Sequence, residues 1–250
     1  MRENDVYLSV VIPAWNGGER IHATIHAVAE WARTQDFRSE IVVVDDGSNV
    51  VAAGLLSGLG ESEPKIIVLR NATNRGKGSS VARGMLAATG KYRVFIDADL
   101  AYPPSEISRI MRELEFGWDL AIACRTLPES RYVMSPGHFH YLYTRHLMSR
   151  LYNRIAQVLL LPGIHDTQAG LKGFSSAAAS IVFSRLTITR FGFDLECLLI
   201  ARAHNLRIIQ TPVEFHYDNE PSTVRLLRDG AGMIADLAKV RFKGWRGDYS

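Results

Sequence analysis

The feature that most constrains the fold is an alternation, through the first half of the chain, between short apolar runs and segments with helical spacing. Short buried runs separated by helices are typical of βαβ units around a mostly parallel sheet. The apolar runs are residues 8–13, 40–44, 66–69, 93–96 and 120–123. Helical spacing covers residues 18–33, 50–59, 79–88 and 103–116. The alternation therefore predicts an α/β, Rossmann-like fold.

The second half of the chain predicts fewer regular elements. A loop-like stretch precedes a long helix with a basic band, and short strands and helices follow. The predicted elements are a loop at 126–140, a helix at 141–161, a strand at 170–174, helices at 175–183 and 193–204, and strands at 207–211 and 213–217. We predict one domain over residues 1–220 and an amphipathic, basic helical extension over 221–250.

Composition excludes several classes of protein. The 250 residues carry 29 basic and 26 acidic side chains, a net charge of +3, with mixed signs along the chain. A dedicated nucleic-acid binder is not indicated. Two cysteines cannot build a disulfide scaffold, and no apolar run reaches the ~18 residues of a membrane span. The first residues do not form a secretory signal. These observations favour a cytoplasmic enzyme.

Polar residues follow each predicted strand, where open α/β sheets bind ligands. Asp97 and Asp99 flank Ala98 directly after the fourth apolar run. Two such carboxylates can share a hard cation with a diphosphate, although the same pattern also forms ordinary solvated turns. Asp45 and Asp46 follow the second run. They can accept hydrogen bonds from a nucleoside, or they can close a local turn and cap a helix.

The segment 74–78, with Lys77 between two glycines, can direct backbone amides and a cation at phosphate, or can simply cap a helix. It matches neither a P-loop nor a dinucleotide fingerprint, which weakens the case for an oxidoreductase. A basic band of Arg125, Arg131, Arg145, Arg150 and Arg154 suits phosphate recognition or a solvated helix face. Ser149 lies four residues after Arg145 and shares its helix face.

The order of these motifs resembles the family-two glycosyltransferases of GT-A fold. The matching segments are Val10–Asn16, Val43–Ser48, Asn74–Gly78 and Asp97–Asp99. Two later segments, His165–Phe174 and Gly192–Glu196, are similar to polyprenyl-phosphate sugar synthases, and Ser222–Leu237 supports their glucosyl branch. Some positions depart from the family pattern: Gly17 and Gly18 separate Asn16 from Glu19, and Ala101, Cys124 and Ala169 replace usual residues.

The resemblance implies an inverting transfer of a hexose, expected to be glucose from UDP-glucose, to a polyprenyl or dolichyl phosphate. It implies a Mg²⁺ or Mn²⁺ ion at Asp97 and Asp99, with Asp99, Asp166 and Arg125 as catalytic residues. The donor nucleotide sugar is expected at Pro13, Ala14, Asn16, Asp45, Asp46, Lys77, Asp97, Ala98, Asp99 and Gln168. The acceptor phosphate is expected at Arg125, Arg145 and Ser149.

Two alternatives remain open at this point. In one, the acceptor is a hydroxyl group, and Asp166 or Asp194 serves as the base that such an acceptor needs. In the other, the protein binds nucleotide sugars without turnover. The basic C-terminal segment is expected either to pack on the domain or to make peripheral contact with the cytoplasmic face of a membrane.

Overall fold

The computed structural model describes residues 5–49, 64–134, 153–190, 192–217, 237–243, 246, 247 and 249. Strands and helices alternate through the first half, as the sequence predicts. The strands are β1 (Leu8–Ala14), β2 (Ser39–Asp45), β3 (Lys65–Arg70), β4 (Tyr92–Ile96) and β5 (Leu120–Cys124). The helices are α1 (Glu19–Arg33), α2 (Lys77–Ala87) and α3 (Ser105–Glu115). The predicted helix at 50–59 lies outside the described residues.

The second half adds shorter elements. They are β6 (Arg131–Met134), β7 (Leu171–Ser175), α4 (Ser176–Arg185), α5 (Phe193–Ala203), β8 (Ile208–Pro212) and β9 (Glu214–Tyr217). Residues 153–159 and 237–243 are helical. Residues 141–152 and 222–236 of the predicted helices lie outside the described residues.

One sequence prediction needs correction, because the stretch 126–140 is not all loop. It contains β6, which pairs in parallel with β9 in a separate two-stranded sheet. Arg131, Tyr132 and Val133 are all exposed, so this strand has no alternation of buried and exposed residues. Hydrophobic periodicity, the main signal for a strand, is therefore missing.

The main sheet has the strand order β3-β2-β1-β4-β7-β5-β8. β7 is antiparallel to both of its neighbours, and the other paired strands are parallel. This arrangement confirms the predicted α/β class with a mostly parallel sheet. It also inserts a late strand between β4 and β5.

Helices cover both faces of the sheet and enclose two clusters of buried side chains. α1 and α3 cover one face, and α2, α4 and α5 cover the other. Gly84 permits the close packing of α2, because a Cβ there would lie 2.4 Å from Val11 Cγ1 on β1. The sheet is therefore held rigidly beneath the loops at its edge.

The described part of the C-terminal segment packs on this same domain. Leu237, Val240 and Tyr249 are buried in the cluster on the α2 side. The Tyr249 hydroxyl donates a hydrogen bond of 2.9 Å to Glu196 on α5. The boundary at residue 220 stays a prediction, since the residues around it are not described. Among the described helices, none has the length and apolar character needed to cross a membrane.

Candidate active site

Carboxyl ends of the parallel strands meet at one edge of the sheet, together with the amino end of β7. The register aligns Ala14 on β1 with Asp45 on β2, and Ile96 on β4 with Leu171 on β7. Because β7 runs the opposite way, the residues before it reach the edge that follows β4 and β5. The described members of the predicted site gather at this edge, from Pro13 on β1 to Gln168 just before β7.

The turn after β2 is tied to the turn after β1. Asp45 accepts hydrogen bonds of 3.0 Å from the Ser48 backbone N–H and from the Arg70 guanidinium. The Ser48 hydroxyl accepts from the Asn16 backbone N–H at 2.8 Å, and the Asn16 side chain accepts from the Asn49 N–H at 2.9 Å. The local turn offered as the structural alternative is therefore present. The nucleoside role of Asp45 and Asn16 stays a prediction.

Asp46 holds the loop that leads into α2. One of its oxygens accepts from the Asn71 side-chain amide at 2.7 Å and from the Arg75 N–H at 3.0 Å, and the other accepts from the Gly76 N–H at 2.8 Å. Gly76 has a φ of 98°, and a Cβ there would lie 2.4 Å from the Thr189 carbonyl oxygen. Glycine is thus required both by backbone conformation and by space.

This network bears on the two roles offered for the segment 74–78, phosphate binding and helix capping. The amides of Arg75 and Gly76 bind Asp46, and the Ser79 N–H donates to the Thr189 carbonyl at 3.1 Å. These amides are directed into the protein rather than toward a phosphate. The group that the segment delivers to the site is the Lys77 ammonium.

Lys77 lies against the first of the paired carboxylates, with 2.6 Å between its Nζ and Asp97 Oδ1. Burial alone would lower the pKa of Lys77, but the charges of Asp97 and Asp194 outweigh it and raise the pKa. Asp99 is open to solvent on one side. The protein atoms around its carboxyl group, and then the negative charge of Asp97, raise the pKa of Asp99. Two carboxylates thus face one ammonium.

The paired carboxylates fit a hard divalent cation. They supply oxygen ligands from a single turn, and the negative charge of Asp97 that helps burial to raise the pKa of Asp99 is one that a cation would offset. Within the described ranges, no three His, Cys, Asp or Glu side chains cluster into a full metal site. Mg²⁺ typically takes one or two carboxylates and completes its shell with phosphate oxygens and water. Asp97 and Asp99 match that requirement.

Gly170 and α1 fix the turn that carries these carboxylates. The Gly170 carbonyl accepts a hydrogen bond of 2.9 Å from the Asp97 N–H. A Cβ at Gly170 would lie 2.1 Å from Asp97 Oδ2, so only glycine leaves room for that carboxylate. From the other side, the Thr24 hydroxyl of α1 donates to the Ala98 carbonyl at 2.9 Å.

Arg125 and Asp166 form a pair at the end of β5. Asp166 Oδ2 accepts from the Arg125 backbone N–H at 3.1 Å and from Nε at 2.7 Å, and Oδ1 accepts from Nη2 at 3.0 Å. The Gln168 N–H adds a bond of 3.3 Å to Oδ1. The Phe215 ring lies 5.3 Å from the guanidinium carbon. The resemblance named Arg125 and Asp166 as catalytic residues without predicting a contact between them, and the structure joins them.

The charge on this pair is set by its contacts. Burial alone would raise the pKa of Asp166, but the Arg125 guanidinium outweighs it and holds the pKa below its ordinary value. Asp166 is therefore an anion whose acceptor sites are already used. In the part of the chain that the structure describes, the Arg125 side chain binds through Nε and Nη2, and Nη1 makes no hydrogen bond. The Arg125 side chain is 21% exposed. One N–H edge of the guanidinium can thus bind a substrate oxygen.

A second, deeper ion pair lies beneath the site. Lys172 Nζ is 2.5 Å from Asp194 Oδ1 and also donates to the Ala169 carbonyl at 2.6 Å. Both side chains are buried, and burial raises the pKa of Asp194 despite Lys172. Sequence reasoning missed Lys172. The available signal was a lysine inside a strand, between the apolar residues Leu171 and Phe174.

The remaining predicted acceptor residues, Arg145 and Ser149, lie outside the described residues, as does Arg150. Of the rest of the basic band, Arg131 and Arg154 are exposed. Of the three residues predicted for the acceptor phosphate, the structure therefore describes Arg125.

Residues 9–182 match the family model described as "Glycosyl transferase family 2". This match covers more than half of the chain, and the chain belongs to glycosyl transferase family 2. It is thus a glycosyltransferase, as the motifs predicted. Its fold and the paired carboxylates at the end of β4 agree with that membership.

Several curated relatives share one name, which makes the resemblance within the family more specific. A protein of Dictyostelium discoideum named dolichyl-phosphate beta-glucosyltransferase is 31% identical, with 96% of this chain and 75% of that protein covered. Proteins of the same name from Saccharomyces cerevisiae and Homo sapiens are 27% and 30% identical. Those alignments cover 99% and 83% of this chain, and 78% and 67% of the relatives.

A solved structure supports the fold. Glucosyl-3-phosphoglycerate synthase from Mycobacterium tuberculosis, crystallised with Mn²⁺, UDP-glucose and phosphoglyceric acid, superposes with a TM-score of 0.68. The identity is 18%, and the superposition covers 95% of this chain and 80% of that one. At this identity the likeness establishes a shared GT-A architecture.

Proposed function

We propose that this glycosyltransferase moves glucose from UDP-glucose to the phosphate of a dolichyl or other polyprenyl phosphate. The names of the curated relatives support the acceptor and the sugar. The UDP and Mn²⁺ in the complexes of the M. tuberculosis structural neighbour support the nucleotide and a divalent metal. The observation that carries the proposal is the pairing of Arg125 with Asp166.

That pairing favours a phosphate acceptor in two ways. Arg125 presents a guanidinium N–H edge at the end of β5, and arginine is well suited to bind phosphate oxygens. Asp166, held as an anion by Arg125, is a weak base because its pKa is lowered. A hydroxyl acceptor would need a base, whereas a phosphate monoester, with a second pKa of ~6, is already anionic near neutral pH.

Asp194 is no better as a base for a hydroxyl acceptor. It lies in the interior with Lys172 at 2.5 Å, and its side chain is 6% exposed. Its carboxylate is already paired with the Lys172 ammonium, with which a substrate hydroxyl would have to compete. The geometry therefore supports transfer to phosphate over transfer to a hydroxyl.

The proposed reaction is a single displacement. An acceptor phosphate oxygen forms the new bond to the anomeric carbon, while the bond from that carbon to the UDP oxygen breaks and UDP leaves with the electron pair. A metal held by Asp97 and Asp99, when bound, neutralises charge on the diphosphate. Arg125 orients the attacking phosphate, Lys77 adds positive charge beside Asp97, and inversion follows from attack opposite the leaving group.

We also propose peripheral membrane contact, because a polyprenyl acceptor resides in lipid. Val158 and Phe242 are 72% and 54% exposed on the helical segments 153–159 and 237–243. Arg241 donates a hydrogen bond to the Leu159 carbonyl and so connects these segments. Exposed Arg154 and Arg246 suit anionic headgroups.

Flotation of the protein with lipid vesicles should increase with the fraction of anionic lipid. Flotation that does not change with lipid charge would contradict this membrane contact.

The full chain should transfer labelled glucose from UDP-glucose to farnesyl monophosphate, into an organic phase, in the presence of Mg²⁺ or Mn²⁺. GDP-mannose in a parallel reaction tests the donor. Farnesol, which lacks the phosphate, is the matched acceptor control. Transfer to farnesol would overturn the phosphate acceptor, and preference for GDP-mannose would overturn the donor.

A further inference from the structure

Tyr102 is a buried hydroxyl group without a partner. The residue is 1% exposed. Within the described ranges, its hydroxyl oxygen makes no hydrogen bond. A buried polar group left unpaired costs free energy, and native proteins rarely keep one without a reason. The Tyr102 hydroxyl thus marks a place where a hydrogen-bonding group is expected to bind.

Aromatic packing fixes where this side chain lies. The rings of Tyr102 and Phe215 meet edge to face, with 5.0 Å between their centroids. Phe215 also contacts the Arg125 guanidinium, whose carbon is 5.3 Å from the ring centroid. Tyr102 and Arg125 therefore share one aromatic support. Burial of the side chain and its contact with Phe215 hold the hydroxyl in place.

Four charged groups of the proposed active site act on the Tyr102 hydroxyl. Burial raises its pKa well above the ordinary value of 10.0, and the charges that modify it are those of Arg125, Asp166, Asp97 and Asp99. The hydroxyl thus stays protonated at neutral pH and can donate. Tyr102 follows Asp99 by three residues and contacts Arg125 through the shared Phe215 ring, so it lies beside both halves of that site.

The backbone just before Tyr102 is strained. Leu100 has a φ of 53°, in the left-handed region that large side chains rarely adopt. The Asp99 carboxylate accepts from the Ala101 N–H at 3.1 Å, and the Ala101 carbonyl accepts from the His216 N–H at 2.7 Å. This turn is held by contacts on both sides, a pattern found at ligand clamps.

We infer that the Tyr102 hydroxyl donates a hydrogen bond to the acceptor phosphate and, with Arg125 Nη1, forms a two-donor site for that group. This inference rests on the proposed function. A phosphate is favoured over a sugar hydroxyl because its anionic oxygens are the stronger acceptors for a protonated phenol beside a guanidinium. Because the hydroxyl is buried in this structure, the inference includes a movement of the turn 99–101, where Asp99 is exposed, when the phosphate binds.

Tyr102→Phe tests the inference, since it removes only the hydroxyl. Calorimetric titration of the full chain, with UDP and Mg²⁺ present, should show farnesyl monophosphate binding weakened roughly ten-fold or more. Affinity for UDP should be unchanged. The variant should be at least as stable as the wild type in thermal unfolding, because it loses a hydroxyl that has no partner.

Tyr7→Phe is the matched control. The Tyr7 hydroxyl donates to Glu115 at 2.8 Å, next to the amino end of β1 and away from the site. Its removal should lower the unfolding temperature and leave farnesyl monophosphate affinity unchanged. Tyr102→Phe should therefore weaken binding without lowering stability, whereas Tyr7→Phe should lower stability without weakening binding.

A second comparison uses Arg125→Lys. If both donors bind one phosphate, adding Tyr102→Phe to Arg125→Lys should cost less affinity than Tyr102→Phe costs alone. Wild-type affinity for farnesyl monophosphate in Tyr102→Phe would overturn the inference, and so would a loss confined to UDP. If the wild type itself does not bind farnesyl monophosphate, the proposed function fails and the inference fails with it.

Discussion

At the scale of single residues, Asp166 both balances the charge of Arg125 and fixes its orientation. Asp166 uses three hydrogen bonds to fix Arg125, and Phe215 supports the guanidinium from one face. The arginine is thus pre-oriented before a substrate arrives, which reduces the entropy lost on binding. Asp166 is in this view a positioning residue rather than a base.

Asp166→Asn should lower the free energy of unfolding at neutral pH by roughly 3–5 kcal/mol, because it leaves a largely buried guanidinium without its counter-charge. Asp119→Asn is the control. Asp119 pairs with Arg207, whose side chain is 64% exposed, and such surface pairs contribute about 1 kcal/mol or less. Urea unfolding of both variants provides the measurement, and equal effects would contradict this description of the Arg125 pair.

The same substitution should change how stability depends on pH. The pKa of Asp166 in the folded protein lies below its ordinary value of 3.8. Its stabilising contribution is therefore complete above that ordinary value and is lost as the pH falls through the lowered pKa. The stability difference between wild type and Asp166→Asn should stay constant from pH 7 to about 5 and shrink only in stronger acid. A stability difference that already shrinks between pH 7 and 5 would contradict the lowered pKa of Asp166.

Asp99→Asn should reduce transfer at least about a hundred-fold, the usual effect of removing one group that stabilises charge in a transition state. The fold should persist, since Asp99 is exposed and is repelled by Asp97. Glucose transfer and the thermal midpoint, measured on one preparation, separate these effects. Normal turnover by this variant would show that Asp99 is not needed for transfer.

At the scale of elements, β7 determines which residues can meet. Its reversed direction brings Asp166 and Gly170 to the edge formed by the ends of β4 and β5. Gly170 lets the strand start directly against Asp97. Residues of the proposed donor and acceptor sites are consequently held by one short segment.

Gly170→Ala should displace the Asp97 carboxylate, because the new methyl group would lie 2.1 Å from its oxygen. We expect weaker Mn²⁺ binding in paramagnetic resonance titrations and lower transfer. Gly163→Ala is a suitable comparison, since a Cβ there has no atom within 4 Å, although its φ of 85° adds some strain. Equal losses of metal binding in the two variants would show that contact with Asp97 is not the cause.

The elements also show what the sequence can and cannot predict. The βαβ alternation and the clustering of Asp45, Asp46 and Asp97 at one edge follow from periodicity, because each strand ends in a polar turn. The direction of β7 does not, since antiparallel and parallel strands have the same apolar pattern when both faces are buried. Nor does the pairing of Lys172 with Asp194, which depends on how α5 packs against β7.

At the scale of the whole molecule, the described C-terminal residues belong to the folded domain. Leu237→Ala should lower the free energy of unfolding by roughly 2–5 kcal/mol, as for other buried leucines. Phe242→Ala, five residues later and 54% exposed, should change it by about 0.5 kcal/mol or less. Chemical unfolding of the two variants tests this. A small effect at Leu237 would mean that the segment contributes little to the core.

The position of β7 also bears on how the chain is made. As the protein leaves the ribosome, β3, β2, β1 and β4 can assemble early, because their pairings need only residues before position 97. β5 has no place in the sheet until β7 has been synthesised, since β7 separates it from β4. The nascent chain therefore passes through a stage in which β4 is an open edge. Such an edge invites pairing with other chains, so a chaperone that shields β4 during synthesis should increase the yield of native protein.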